Sequence, residues 1–199
     1  GLDVCSLIFA GGFTDPGEFE SQIADAKQAI EDAATLGAPV LMLLAGPRLG
    51  VGVDEGDQLV RDAVEALAPT AREFGVELAL EPLHPVDATR YSTVVTINQA
   101  LDVVEGIDGA GIMYDTWNTW WDPRVWSGIE RAGDDIAAVH VADWMHPNDN
   151  PRDRDVPGDG VAPLTELLSA VEDVGYEGWY EVELFTEQYD PDEYPALLD

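Results

Sequence analysis

The sequence predicts an α/β protein built on a parallel, barrel-type sheet, and two observations carry this prediction. Short apolar runs alternate with amphipathic stretches along the 199 residues, which is the pattern of buried parallel strands joined by helices. Four of the later runs also end on a side chain able to bind a metal: VELALE at Glu81, GAGIMYD at Asp115, IAAVH at His140 and GWYEVE at Glu183. Because the C-terminal ends of barrel strands share one face, these four side chains are expected to meet there.

Six strands and five helices are predicted in alternation. The strands cover about residues 2–9, 38–45, 76–81, 110–115, 136–141 and 178–184, and the helices cover about residues 16–36, 55–74, 93–106, 123–132 and 162–174. Asp15-Pro16-Gly17-Glu18 offers start signals for the first helix, and Pro163 offers one for the last. No linker or change of composition interrupts the pattern, so residues 1–199 are predicted to form one domain.

The length bounds the size of the barrel. A full eight-unit barrel takes about 250 residues, or about 30 per βα unit, so 199 residues hold six or seven units. The chain begins at Gly1, directly before the apolar run LDVCSLIF. We therefore expect a TIM-type (β/α)8 barrel that lacks about its first two βα units and is incomplete at the N-terminus.

The charge is strongly acidic and spread along the chain. There are 40 acidic residues against nine basic ones, giving a net charge of −31, and Lys27 is the one lysine. This balance is typical of a protein kept soluble at high salt, and it argues against a nucleic-acid partner. Cys5 is the single cysteine, which excludes an intrachain disulfide. No signal peptide or membrane-spanning run is visible, so the cytoplasm is the expected location, with homo-oligomerisation left open.

Oxygen and nitrogen ligands from Glu81, Asp115, His140 and Glu183 suit one divalent cation. Glu181 is a rival for Glu183, because residues two apart lie on the same face of a strand. The tryptophans between 117 and 126 can either wall a sugar-sized ligand or pack helices against the barrel. The Gly158-Asp159-Gly160 segment is interpreted as a turn before the last helix.

The chain resembles the xylose isomerase-like (β/α)8 barrels, a group that includes sugar-phosphate isomerases and epimerases. The resemblance runs from GLDVCSL to EVELF, and it depends most on LALEPLHP, the WWDP block after Asp115, HVADW, DRDVPGDG and GYEGWYEVELF. It implies Glu81, Asp115, His140 and Glu183 as the ligands of one divalent ion (Mn, Mg, Co or Zn). The spacing from Gly178 selects Glu183 over Glu181.

The resemblance also implies the reaction. A ketose or sugar phosphate would be isomerised or epimerised through an enediolate, with Glu81 and Glu183 as the acid/base pair. Substrate contacts are expected from His84, Asn118, Trp120 and Arg154, although His84 can equally pack in a proline-bounded loop. Many members carry a histidine where this chain has Asn118, and an amide cannot act as a titrating acid or base. His146 is expected to face solvent.

Three alternatives remain open. A dehydratase on the same scaffold would use the same metal to eliminate water from a polyol or keto acid. An abasic-site endonuclease is disfavoured, because the related zinc cluster needs more histidines than His84, His140 and His146 supply. A non-catalytic, truncated barrel is the third alternative. All four predicted ligands lie on the last four strands, so the shortened barrel is expected to bind metal while showing weak or no turnover alone.

Overall fold

The computed structural model describes residues 1–48, 50–147, 150 and 152–185. Its main sheet has six parallel strands, which are β1 (Ser6–Gly11), β2 (Val40–Leu44), β3 (Glu77–Leu80), β4 (Ala110–Asp115), β5 (Ile136–Val141) and β8 (Tyr180–Val182). They pair in the order β1-β2-β3-β4-β5-β8. This sequential order is that of a curled half-barrel with helical crossovers. The predicted six-stranded, incomplete barrel is confirmed.

Six α-helices connect or follow these strands in the described part of the chain. They are α1 (Phe19–Leu36), α2 (Val53–Phe74), α3 (Ile97–Val104), α4 (Thr116–Thr119), α5 (Val125–Ala132) and α6 (Leu164–Asp173), with 3₁₀ turns at Pro85–Asp87 and Gly133–Asp135. Helices α1 and α2 end at Gly37 and Gly75, whose φ angles are 76° and 69°. Glycine adopts this left-handed conformation without the steric cost that a Cβ would bring.

Several boundaries differ from those predicted. Helix α1 begins at Phe19, because Asp15 closes a turn by accepting the Gly17 N–H at 2.9 Å instead of capping the helix. The predicted helix 93–106 shortens to α3, which is capped by the Thr96 hydroxyl accepting the Gln99 N–H at 3.2 Å. The sequence patterns missed α4 and a two-stranded antiparallel ribbon, β6 (Asp143–Trp144) with β7 (Arg154–Asp155). Two-residue strands carry no periodic signal.

Strand side chains alternate between two apolar layers. Leu41, Leu78, Ile112 and Val139 belong to the larger core between sheet and helices. Residues at the alternate positions, joined by Leu83 from the segment after β3, form a smaller cluster inside the curl of the sheet; its strand members are Val40, Met42, Leu44, Ala79, Met113 and Ala138. This period of two places the next inward position of β3, β4 and β5 at Glu81, Asp115 and His140.

Strands β1 and β8 form the two edges of the main sheet. Over their described residues, the two edge strands are not paired through their backbones, but the Ser6 hydroxyl of β1 donates a hydrogen bond to Glu181 Oε2 of β8 at 3.0 Å. The curl of the sheet therefore brings the two edges into contact. Apolar side chains on these edges are exposed, among them Ile8, Phe9, Val182 and Phe185. Among the described residues, no helix combines the length and apolar character needed to cross a membrane.

Candidate metal centre

The structure brings Glu81, Asp115, His140 and Glu183 together at the C-terminal ends of β3, β4, β5 and β8. One ligand atom from each residue lies within 4.8 Å of the others. Backbone hydrogen bonds continue the sheet to two of them: the Glu81 N–H donates to the Leu43 carbonyl at 3.0 Å, and the Glu183 N–H donates to the Val141 carbonyl at 3.1 Å. Ligands at about 2.0–2.6 Å from one ion are separated by distances of this size.

His140 lies between the two glutamates. Its Nδ1 is 3.6 Å from Glu81 Oε1 and 3.4 Å from Glu183 Oε2. Only 2% of the residue is exposed, and within the described residues Nδ1 has no aligned hydrogen-bond partner. A buried nitrogen without a partner is costly unless it meets another group. Its position among three carboxylates fits a metal ion that takes imidazole and carboxylate ligands.

The two carboxylate oxygens of Asp115 have different partners: one accepts backbone N–H groups, and the other accepts hydrogen bonds from side chains of the site. Its Oδ1 caps the short helix α4, accepting the N–H groups of Trp117 at 2.7 Å and Asn118 at 3.2 Å. Its Oδ2 accepts from the Asn118 side chain at 2.9 Å and from Arg154 at 3.1 Å. The cap therefore fixes the carboxylate so that Oδ2 faces the other predicted ligands.

Both the oxygen and the nitrogen of the Asn118 side-chain amide form hydrogen bonds within the protein. Its Oδ1 accepts the His84 N–H at 2.9 Å, which turns the amide nitrogen towards Glu81 Oε1 at 3.2 Å and Asp115 Oδ2 at 2.9 Å. The residue is 1% exposed. Its geometry is that of a group holding two predicted ligands in place, while the predicted substrate contact remains a prediction.

Arg154 is buried beside the cluster. Its guanidinium pairs with Asp115 and Glu183, and it lies 4.8 Å from the centre of the Trp117 ring. A histidine that binds a metal is neutral, so the three carboxylates of the cluster and this one guanidinium then carry a net charge of two negative units. A divalent cation would cancel that charge, and the arginine therefore sets how much charge the cation has to balance.

The ionisation of the cluster reflects burial and mutual contact. Burial, reinforced by the nearby Asp115 charge, raises the pKa of Glu81 to about 7. Burial opposes the charged form of His140, but the two close carboxylates of Glu183 and Glu81 outweigh it and raise the pKa of His140 to about 11. For Glu183, burial is outweighed by His140 and Arg154, which lower the pKa of that carboxyl.

A cavity of about 380 Å³ opens onto the cluster, a size within the range of small-molecule sites. Glu81, Asn118, Arg154 and Glu183 line it together with Trp117. Trp120 packs instead against the main core, with its ring 5.6 Å from that of Trp144. Trp117 therefore lines the cavity and Trp120 packs beside it against the core, and the predicted substrate contact of Trp120 remains a prediction.

His84 lies in an aromatic group beside the cavity. Its ring centre is 4.9 Å from that of Trp144 and 5.4 Å from that of Trp117. Burial lowers the pKa of this histidine to about 4, and its Nδ1 accepts the Val86 N–H at 3.2 Å. These contacts agree with the packing role weighed from the sequence. His146 is exposed, as expected.

Glu181, the rival of Glu183, faces the Ser6 hydroxyl below the cluster. Sequence reasoning missed three other polar residues of the cavity, Asp87, Tyr91 and Arg152. They come from loops whose sequence carries no strand-end signal. For Asp87 the sequence offered one signal, the PLHP segment, whose prolines indicate a turn just before this residue.

Comparison with known proteins identifies the family. The family model described as xylose isomerase-like TIM barrel matches residues 1–199, so the chain belongs to this family. The inosose isomerase of Halalkalibacterium halodurans is 28% identical over 200 residues, covering 94% of this chain and 67% of that protein. The chain thus spans about two thirds of the length of this curated relative.

Two solved structures share the fold. A crystal structure of a protein from Sinorhizobium meliloti 1021 is 37% identical, with a TM-score of 0.89 over 96% of this chain and 74% of that one. A crystal structure of IolI protein with a bound zinc atom is 24% identical, with a TM-score of 0.78 over 96% of this chain and 69% of that one. At this identity, the likeness to the zinc-bound structure shows that the two chains share a fold.

Proposed function

We propose that the cluster binds one divalent cation and that the protein isomerises or epimerises a polyhydroxylated ketone such as a ketose or a cyclic ketose analogue. One observation carries the proposal: four ligand atoms on four consecutive strands of the main sheet meet within 4.8 Å beside a cavity. Membership of the family and the likeness to an inosose isomerase support the class of reaction. When bound, the cation supplies positive charge that stabilises an enediolate.

The protein's own groups supply proton transfer and orientation. Glu81 and Glu183 both line the cavity, so each can exchange a proton with a carbon next to the substrate carbonyl. Return of the proton to the former carbonyl carbon, with a hydroxyl proton passing between the two oxygens, gives an isomer, and return to the opposite face of the original carbon gives an epimer. Asn118 holds Glu81 through its amide hydrogen bond, and Arg154 holds Glu183 through the ion pair described above. Trp117 forms part of the apolar wall of the cavity beside these groups.

Proton exchange tests the proposal across many substrates at once. Protein loaded with Mn, Mg, Co or Zn would be incubated with a panel of ketoses and cyclic ketones in D₂O at high salt, and the products followed by NMR. Deuterium should enter the carbon next to the carbonyl in the wild type, slowly, in line with the weak turnover expected of the shortened barrel, and Glu81→Gln and Glu183→Gln should abolish the exchange. Absence of exchange with every metal and substrate contradicts the proposal.

The same experiment separates the dehydratase alternative, because elimination of water gives a product lighter by one water molecule. Deuterium exchange with retention of the carbon and oxygen skeleton supports isomerisation or epimerisation. A spectrum dominated by the dehydrated product favours the alternative instead.

A further inference from the structure

We propose that Asp87 and Arg152 form a second substrate subsite, which binds neutral hydroxyl groups remote from the reacting carbons. The inference rests on the proposed function, and it deepens it by favouring substrates with a long polyol portion over small keto acids. Both residues line the cavity that opens onto the metal-ligand cluster. They lie outside the four-residue cluster, so the proposed chemistry does not use them.

Asp87 has the features of a ligand-binding carboxylate. The residue ends the 3₁₀ turn Pro85–Asp87, whose start is capped by the His84 side chain. It is 8% exposed. Arg152 forms an ion pair with Asp87 Oδ1, and the pair lines the cavity wall. A substrate hydroxyl that reaches the pair can donate to the carboxylate and accept from the guanidinium.

Arg152 supplies the matching donors. Its side chain is 33% exposed, and the guanidinium lies over the Tyr91 ring, 5.6 Å from the ring centre. Tyr91 also lines the cavity and packs against the cluster inside the curl of the sheet. The ring therefore holds the guanidinium at the cavity wall, where its five N–H groups exceed what one carboxylate oxygen can accept.

The net charge of the Asp87–Arg152 pair indicates whether a neutral or a charged ligand group would bind there. Asp87 and Arg152 cancel one another, so together they offer an acceptor and several donors without net charge. Vicinal hydroxyls, each of which can donate and accept, fit this arrangement. A phosphate or carboxylate at the same place would meet the buried negative charge of Asp87. Hydroxyl groups are therefore the ligand that the pair favours.

Binding of unreactive polyols tests the subsite directly. Sorbitol, glycerol and sorbitol 6-phosphate would be titrated into Mn-loaded protein at high salt, with binding followed by ligand-observed NMR. The wild type should bind sorbitol about 10- to 100-fold more tightly than glycerol, as expected for hydrogen bonds to charged groups. Asp87→Asn and Arg152→Gln should each remove most of this difference while leaving glycerol binding and Mn affinity unchanged.

The exposed pair of Arg72 and Asp108, whose atoms are 3.3 Å apart, provides the matched control. Arg72→Gln and Asp108→Asn should leave the preference for sorbitol intact. The subsite is refuted if both pocket variants keep the wild-type preference, or if sorbitol 6-phosphate binds more tightly than sorbitol. If no polyol binds although proton exchange occurs, the subsite alone fails; if exchange is also absent, the proposed function fails with it.

Discussion

Arg154 and Asp115 form a buried ion pair, with the guanidinium 3.1 Å from Asp115 Oδ2. The same guanidinium pairs with Glu183, so one arginine serves two of the four predicted metal ligands. The contacts connect the β6–β7 ribbon to the strand ends, because Arg154 belongs to β7. The positive charge of Arg154 thus neutralises part of the negative charge of the three clustered carboxylates.

Arg154→Met should destabilise the metal-free protein by about 3–5 kcal/mol, because it leaves buried carboxylates without their cation. Added Mn²⁺ should then raise the melting temperature more in the variant than in the wild type, since the ion restores the missing charge. Thermal unfolding with and without Mn²⁺ measures both effects. Arg124→Met, at a side chain that is 66% exposed, is the control. An equal metal-induced shift in wild type and Arg154→Met contradicts this role for the arginine.

Glu183→Gln should weaken Mn²⁺ binding by at least the roughly 10- to 100-fold that loss of a group supporting a ligand costs, because here a carboxylate ligand itself is lost. Glu181→Gln should leave the affinity unchanged, since the Glu181 carboxylate accepts from the Ser6 hydroxyl and is not one of the four clustered ligands. The two positions are two residues apart at the C-terminal end of β8, which makes them a matched pair. Isothermal titration provides the comparison. A larger loss at Glu181 would reverse the assignment.

His84 should make stability depend on pH. Burial lowers the pKa of His84 from 6.5 to about 4. Between these values the unfolded chain binds a proton that the folded protein does not, so stability rises with pH through this window and is fully present above 6.5.

Urea unfolding between pH 4 and 7 compares the wild type with His84→Asn, whose side-chain oxygen can still accept the Val86 N–H. Other groups titrate alike in both proteins. The difference in stability between the two should therefore change across the window, and a constant difference would show that His84 does not contribute.

Salt should stabilise the protein. With a net charge of −31, self-repulsion in the compact state is strong at low ionic strength and is screened as salt is added. Melting temperature measured over a KCl series should rise with concentration. Since sulfate also acts through exclusion from the surface, the series should use chloride. A flat or falling curve would remove the support for a halophilic protein.

Strand periodicity carried most of what the sequence could predict. The alternation that buries Leu78 and Leu80 on the helix side turns Glu81 inwards, and the same logic applies to Asp115 and His140. Helix starts were less predictable, because Asp15 satisfies a turn instead of the first N–H groups of α1. Local competition of this kind is invisible to periodicity.

The remaining parts of the site depend on contacts between distant segments. The Asn118 amide is oriented by the backbone of His84, which lies 34 positions away in the chain. Asp87 and Arg152 meet although they come from different loops. The sequence marks each of these residues as polar and near a turn, but their pairing arises only when the barrel curls.

Binding of one ion by Glu81, Asp115, His140 and Glu183 underlies both proposals. Anomalous diffraction from a Mn²⁺-loaded crystal, recorded at the manganese edge, would locate that ion. We expect a single strong peak bonded to all four side chains at about 2.0–2.6 Å. A peak elsewhere, a peak bonded to Glu181 in place of Glu183, or no peak at saturating metal would contradict the assignment.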